Sequence, residues 1–358
     1  MAINLDTSVV VNREQRLGTI IAWDGGASEL ADKSEYSRAS CGSVCGDRRS
    51  RLCETTGPFT QGSCCSEMMV ECQAGQVRGA ALIQHSPIGC AASQVGNNMA
   101  FRIGMAMTGN PIENLRWIST NLKEQDMVYG GVERLEQSIR DAWERQKPQV
   151  IFIATSCATG IIGDDVDGAS TRLEAELGIP VIPLHCEGFK SKHWSTGFDA
   201  AQHGILRQIV KKDPTKQEDL VNVIKLWGSD VFTPMFKELD LRVNYVVDLA
   251  SVDDLARMSE AVATVGFCHT LSSYLAAGLE QEFGVPEIKA PQPYGFAGTD
   301  AWLRELGRLP TGKRRWRPTS PRSMPGSNPA WKICANVSKG KRGSFPPGPP
   351  MPMALYPC

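Results

Sequence analysis

The chain has 358 residues, 42% hydrophobic and 22% charged, which suits two or three domains with buried cores in an ordinary globular protein. No apolar run reaches about 18 residues, so no membrane span is expected, and the N-terminus from Met1 to Asp6 lacks a basic region followed by an apolar core, so no signal peptide is expected and a cytoplasmic location follows. The net charge of −1 is unevenly spread: residues 1–310 carry an acidic surplus that argues against nucleic acid as partner, whereas residues 311–358 carry nine Lys or Arg and no Asp or Glu.

Residues 1–55 mix polar residues with glycine and read as an N-terminal extension. An apolar stretch from Val77 leads into Ile83-Gln-His-Ser-Pro-Ile-Gly-Cys90. Val132, Leu135, Ile139 and Trp143 recur at helical spacing and predict a helix from Val132 to Gln146. After Pro148, the apolar run 150–155 predicts a buried parallel strand, with Ser156-Cys-Ala-Thr-Gly160 as the loop at its carboxyl end. Asp164 and Asp165 begin a second helix ending near Leu177, where they favour the helix N-terminus rather than forming an acid pair. Residues 178–184 give the next strand, and 185–189 its end loop. The charged stretch 211–219 marks a boundary. Beyond it come strands at 222–227, 243–247 and 263–268, a short helix near 231–239, and a helix from about Ser272 to Phe283. This alternation predicts an α/β fold of repeated Rossmann-like parallel sheets: domain I over 56–215 and domain II over 216–310. In such sheets ligands gather beyond the carboxyl ends of the strands, where Cys157 and Cys186 both fall.

The twelve cysteines are spread too widely, in too long a chain, for a secreted disulfide scaffold. They divide into buried thiols, expected for Cys72 and Cys186, and candidate ligands set among small residues: Gly62-Ser-Cys64-Cys65, Pro87-Ile-Gly-Cys90 and Thr155-Ser-Cys157. Soft thiolate sulfur suits iron, and neighbouring small residues let backbone N–H groups approach cluster sulfides. Cys268, ending a strand before a helix, is a further single ligand candidate, because the positive end of a helix favours thiolate. Cys41, Cys45 and Cys53 are expected to be structural, and His85 to pack beside the cysteine loop rather than bind metal.

Taken in order, Cys64, the His85-to-Cys90 segment, Lys123-Glu-Gln-Asp-Met-Val-Tyr-Gly-Gly131, Ser156-Cys-Ala-Thr-Gly-Ile-Ile-Gly-Asp-Asp165 and His185-Cys-Glu-Gly-Phe189 resemble nitrogenase component 1 over roughly residues 60–309. The resemblance implies that Cys64, Cys90 and Cys157 hold half of a bridging eight-iron cluster of the P-cluster type. The other half would come from a β-type sister subunit in an α2β2 heterotetramer. Cys65 is the alternative to Cys64. It implies also that Cys268 ligates one end of a nitrogenase-type iron–sulfur cofactor, and that an ATP-dependent iron–sulfur reductase supplies electrons. The near-phosphate-loop Gly307–Arg314 lacks the Ser or Thr that such a loop needs, so nucleotide hydrolysis belongs to that partner.

Three positions depart from the dinitrogen-reducing pattern. Trp194 and Phe198 stand where those proteins place a glutamine and a histidine at the cofactor, and Asn98 stands where they carry an arginine. Cys268-His-Thr-Leu-Ser-Ser273 also differs from their usual continuation. A pocket lined by Trp194, Phe198 and Asn98 would be more apolar and less protic, as a small thioether requires, and is similar to the methylthio-alkane reductase branch. The expected activity is therefore ATP-dependent multi-electron reduction with C–S cleavage. The alternatives are a dinitrogen-reducing α subunit, a cofactor-assembly scaffold, or an inactive truncated product.

Residues 311–358 hold ten of the 22 prolines and no helical period, which reads as a disordered basic tail. Read one base on, residues 315–339 permit an amphipathic helix and residues 350–354 a glycine-ended strand. The tail is accordingly expected to be out of frame, with the third α/β domain of the family missing.

Overall fold

The computed structural model describes residues 65–188, 194, 196–225, 232–290, 293 and 295–309. The first unit runs α1 Ser66–Ala74, β1 Ala80–His85, a 3-10 turn Ile88–Ser93, α2 Gln94–Met107, β2 Trp117–Ser119, α3 Glu124–Tyr129, α4 Val132–Gln146, β3 Val150–Thr155, α5 Cys157–Ile162, α6 Val166–Leu177, β4 Val181–Leu184 and α7 Thr196–Gln208. The second runs β5 Gln217–Lys225, α8 Thr233–Lys237, β6 Arg242–Val247, α9 Val252–Ala256, a 3-10 turn Arg257–Glu260, β7 Ala261–Gly266, α10 His269–Phe283 and α11 Gly295–Leu306.

Both sheets are parallel throughout. The first has the order β2-β1-β3-β4, with Leu82 opposite Phe152 and Phe152 opposite Ile182; the second has the order β6-β5-β7, with Val223 between Tyr245 and Val265. Every residue of β1 and β3 is buried, as expected of strands covered by helices on both faces. One apolar core joins the two units: Val70 of α1, Phe152 of β3, Ile205 of α7, Ile224 of β5 and Leu275 of α10 belong to it. The far face of the first sheet packs Ile83 and Ile151 against Ile139 and Leu173, and that of the second packs Val223 against Phe236 and Trp302.

The helix ends follow local chemistry. Asp165 caps α6 by accepting the Gly168 N–H at 2.9 Å, and Gly178 ends it at φ +69°. Gly197 opens α7 so tightly against α1 that a Cβ there would lie 2.0 Å from the Ser66 carbonyl oxygen.

Several expectations are refined. The segment after β3 is not a loop: Ser156 caps the one-turn-and-a-half helix α5, accepting the Thr159 N–H. The boundary stretch 211–219 overlaps β5, which begins at Gln217 because Gln217 already pairs with Ala261 of β7 ahead of the buried Leu220 and Val221. The strand predicted at 222–227 ends, as described, at Lys225. Helix α10 starts at His269, three residues earlier than expected. No described helix is long and apolar enough to cross a membrane. Cys41, Cys45, Cys53, Cys64 and the tail 311–358 lie outside the described residues.

Candidate functional site

The carboxyl ends of β1, β3 and β4 each deliver a loop to one edge of the first sheet, carrying Cys90, Cys157 and Cys186-Glu187-Gly188 respectively. Cys65 arrives from the other side, as the extended residue (φ −129°) that precedes α1. The loops are pinned by His85 and Asp164. The His85 Nδ1 lies 3.1 Å from the Thr120 hydroxyl, and its Nε2 lies 2.9 Å from the Asp164 carboxylate. That carboxylate also accepts the Gly131 N–H at 2.9 Å, so the loops after β1, β2, α3 and α5 share one buried anchor. His85 packs beside the cysteine loop as the sequence predicts. Asp165 starts α6 as expected, whereas Asp164 turns inward to His85 because that ring would otherwise be buried with an unpaired nitrogen.

Cys65 and Cys157 meet over Gly188. A Cβ at Gly188 would sit 3.2 Å from the Cys65 Cβ and 3.5 Å from the Cys157 Sγ, so glycine leaves room there that any side chain would fill. The Cys90 thiol lies near enough to Glu67, in the first turn of α1, and to Cys65 to feel the charge of each. Cys65, Cys90 and Cys157 therefore border one space, with Cys65 rather than its unseen neighbour Cys64 as the described member.

Beneath them lies an acidic network that the sequence reading missed. Glu67 and Glu71 are 3% and 1% exposed. The Gln84 amide donates to both, at 3.2 Å to Glu67 and more closely to Glu71, and the Ser93 hydroxyl donates to Glu71 at 2.5 Å. Burial pushes Glu67 up to about 7 and Glu71 up to about 8, the latter helped by the neighbouring Glu67. Burial raises the Cys65 and Cys186 thiols too, and partial burial and then the Glu67 charge push up the Cys90 thiol, although that residue as a whole is exposed. Glu71 and these thiols hold their protons near neutral pH, whereas Glu67 is about half-ionised there, and a metal would have to displace the protons that remain. The one sequence signal was the spacing of Glu67 and Glu71, four apart, on a helix that is mostly apolar between them.

The three thiols and the bare face of Gly188 fit a sulfur-ligated iron cluster. Among the described residues, no three His, Cys, Asp or Glu side chains gather closely enough for a single metal ion. Cys186 and Cys72 are buried as expected; Cys186 donates to the Thr155 carbonyl at 3.2 Å, and Cys72 to Asn97 Oδ1 at 3.4 Å.

Cys268 stands on the second sheet, at the N-terminus of α10, where its carbonyl accepts from Ser272 N–H and hydroxyl, each at 2.9 Å. Phe198 is 3% exposed and lies in the shared core, because Gly197 presses the first turn of α7 onto α1. Trp194 is half-buried against that core, edge-on to Phe198 with ring centres 5.8 Å apart. Asn98 is occupied in holding the chain after α2: its Oδ1 accepts the Leu115 N–H at 2.9 Å, and its amide donates to Asn114 at 3.2 Å.

A family model described as nitrogenase component 1 type oxidoreductase matches residues 65–322, so the match runs twelve residues past the expected frame break at 311. The chain is 28% identical over 244 residues to the nitrogenase molybdenum-iron protein alpha chain of Methanosarcina barkeri, covering 66% of this chain and 45% of that one. It is 29% identical over 232 residues to the nitrogenase iron-molybdenum cofactor biosynthesis protein NifE of Methanococcus maripaludis, covering 62% and 46%. The chain thus spans about half the length of the curated relatives it matches. Among solved structures, nitrogenase Cp1 at pH 6.5 superposes with a TM-score of 0.60 at 23% identity, covering 71% of this chain and 50% of that one, a likeness of fold.

Proposed function

Because the chain belongs to the nitrogenase component 1 type oxidoreductases, we propose that it is the α-type, cluster-bearing subunit of a nitrogenase-like reductase acting on small methylthio compounds. Cys65 or its neighbour Cys64, with Cys90 and Cys157, would hold the bridging cluster, and Cys268 would hold one end of the active-site cofactor. A β-type sister subunit would complete the assembly, and an ATP-dependent iron–sulfur reductase would supply electrons. The observation that carries this reading is the convergence of Cys65 and Cys157 on Gly188 at the sheet edge to which the loop after β1 also brings Cys90.

When bound, such clusters supply one-electron carriers whose potentials depend on ligand identity, hydrogen bonding and burial. The residues of this chain do the positioning. Gly188 keeps the space clear, the His85–Asp164 pair holds the Cys90 and Cys157 loops in register, and the packed strands behind them exclude water. The test is iron content. With the sister subunit co-expressed, Cys90→Ala and Cys157→Ala should each lose cluster iron and weaken assembly, since a shared cluster is also a staple. Unchanged iron and assembly in both variants would reject the reading.

A second reading is favoured by the likeness to NifE, which is as strong as that to the alpha chain. On that reading the chain is a cofactor-assembly scaffold. Transfer of iron from the loaded chain to an acceptor protein, without substrate turnover, would establish it.

A further inference from the structure

We propose that Gln202 is a positioning residue for Cys268: its side-chain amide is wedged against the backbone of α10 and ties the turn that carries this thiol to α7 and to α1, the helix that Cys65 precedes. The inference rests on the reading that Cys268 is a metal ligand.

Gln202 lies in α7 beside Ala201 and one turn before Ile205, and like both it has no exposed surface. An amide in an apolar core costs stability unless its groups are paired, and here they are paired with α10. The amide nitrogen donates to the Leu271 carbonyl at 2.7 Å, and the amide oxygen accepts the Leu275 N–H at 3.1 Å. These two backbone groups are four residues apart, the pair that a regular α-helix joins to each other. A side chain set at both gives the first turn of α10 an anchor outside its own helix. The same amide nitrogen also reaches the side-chain oxygen of Gln73 on α1, at 3.4 Å.

Within that turn, the Cys268 carbonyl accepts the Leu271 N–H at 3.0 Å and the Ser272 N–H and hydroxyl at 2.9 Å each. Gly266 lets the turn fold back over the end of β7, since a Cβ there would lie 2.0 Å from the Ser272 Oγ. The Leu271 carbonyl, three residues on from Cys268, is the point at which α7 holds this turn by a hydrogen bond. Helix α7 is itself fixed on either side of Gln202. Five residues before it, Gly197 presses on the Ser66 carbonyl of α1, next to Cys65; four residues after it, Leu206 packs so near Gly278 of α10 that a Cβ there would lie 2.4 Å from the Leu206 Cδ1. One helix therefore spans from the residue after Cys65 to the turn that begins at Cys268, and Gln202 is its polar hold on that turn. An apolar side chain of the same length would fill the space but could hold neither backbone group.

The test reads thiol reactivity in the full chain, metal-free and reduced, with iodoacetamide as the probe and peptide mass analysis resolving each cysteine. Cys186, buried on the first sheet, is the control. In Gln202→Met, which keeps the length of the side chain but neither hydrogen-bonding group, Cys268 should react about tenfold faster than in the wild type, as expected when two hydrogen bonds that hold a turn are lost, while Cys186 keeps its wild-type rate. Gln202→Glu offers the same donor and acceptor from a carboxyl that burial keeps protonated near neutral pH, and should return Cys268 to the wild-type rate. Gln73→Met leaves one Gln202 N–H buried without an acceptor; it should speed Cys268 severalfold, and it decides the question if Gln202→Met does not fold. An unchanged Cys268 rate in the folded variants, an equal rise at Cys186, or no rescue by Gln202→Glu would each overturn the proposal. Iron content unchanged by Cys268→Ala in the assembled protein would overturn the ligand reading instead, by a separate measurement.

Discussion

Asp164 shows how one side chain can decide whether a site exists. It takes the ring of a buried histidine and a backbone N–H from a different loop, so Asp164→Ala would strand both inside the protein. Unpaired buried donors cost about 1–3 kcal/mol each; urea unfolding should show a loss of about 3 kcal/mol, with the cysteine loops losing protection in hydrogen exchange. Glu71 gives a pH-dependent counterpart. Its folded value is raised to about 8 from an ordinary 4.5, chiefly by burial. A raised carboxyl favours the folded chain only while protonated. That contribution is complete below about 4.5 and is lost as pH rises through about 8. Glu71→Gln, which is never charged, should therefore match the metal-free wild type in thermal unfolding near pH 5 and exceed it increasingly up to pH 8.5. A constant gap across that range would show that Glu71 does not titrate as described. At this scale the sequence was half legible. Cys90, Cys157 and Cys268 could be singled out by their small neighbours and, with the resemblance, by order. Glu67 and Gly188 could not, because their meaning depends on Cys90 and Cys65, which lie 23 and 123 residues away along the chain. Phe198 was read as a pocket wall, but nothing in its local sequence tells which way a residue in the first turn of a helix faces when the helix is pinned by its neighbour, Gly197.

At the scale of elements, periodicity carried most of what was readable. The helix Val132–Gln146 and the strand Val150–Thr155 lie where their apolar spacing put them, because each has a strong pattern and a clear stop: Lys147 at φ 44° ends the helix just before Pro148. Three helices gave no usable signal. Helix α1 is buried on nearly all sides, with Glu67, Glu71 and Gln73 inward among its apolar residues, so it has no polar face to mark a period. Helix α2 exposes Val95 and Met99, and α7 buries Gln202, which accepts the Leu275 N–H of α10 at 3.1 Å. Polar residues inside and apolar residues outside blur the same pattern. The contact of α1 with α7 makes a sharp prediction. In an isolated helix, Gly197→Ala would add up to about 1 kcal/mol of stability. Here the new methyl would meet the Ser66 carbonyl at 2.0 Å and the Met69 Cβ at 2.9 Å, and backbone cannot move aside as a side-chain tip can. Overpacking of about 1–3 kcal/mol should dominate, so the variant should unfold at lower denaturant than wild type. Because α1 carries Cys65, its iron uptake should fall as well.

For the whole molecule, the two parallel sheets share one core and turn their carboxyl edges toward two separate cysteine positions, Cys65–Cys90–Cys157 on the first and Cys268 on the second. On the proposed reading these are the places of two metal groups, and substrate choice is then a question about the second. On the proposed reading its pocket carries Trp194, Phe198 and Asn98, where the dinitrogen reducers place a glutamine, a histidine and an arginine. Phe198 can neither donate nor accept a proton, and the Trp194 indole donates one hydrogen bond without accepting a proton in return. Asn98 carries no charge, and its side chain is already engaged with Leu115 and Asn114. General acid–base groups contribute about 10²–10⁴-fold to rates where protons move in the transition state. The loss should fall hardest on dinitrogen, whose reduction needs repeated protonation. An apolar thioether needs fewer proton transfers and gains about 25 cal/mol per Å² of surface it buries against rings such as Trp194. The expected outcome is that the chain, assembled with its β-type sister and supplied by the iron–sulfur reductase, forms methane or ethylene and a thiol from small methylthio compounds faster than it forms ammonia from dinitrogen. Gas analysis under matched electron flux measures both. Replacing Trp194 by Gln should narrow the difference without abolishing cluster binding, because Trp194 is only half-buried and is not one of the cysteine ligands. Robust ammonia formation with no thioether cleavage would return this chain to the dinitrogen reducers, and turnover of neither, with iron passed on to an acceptor, would make it a scaffold.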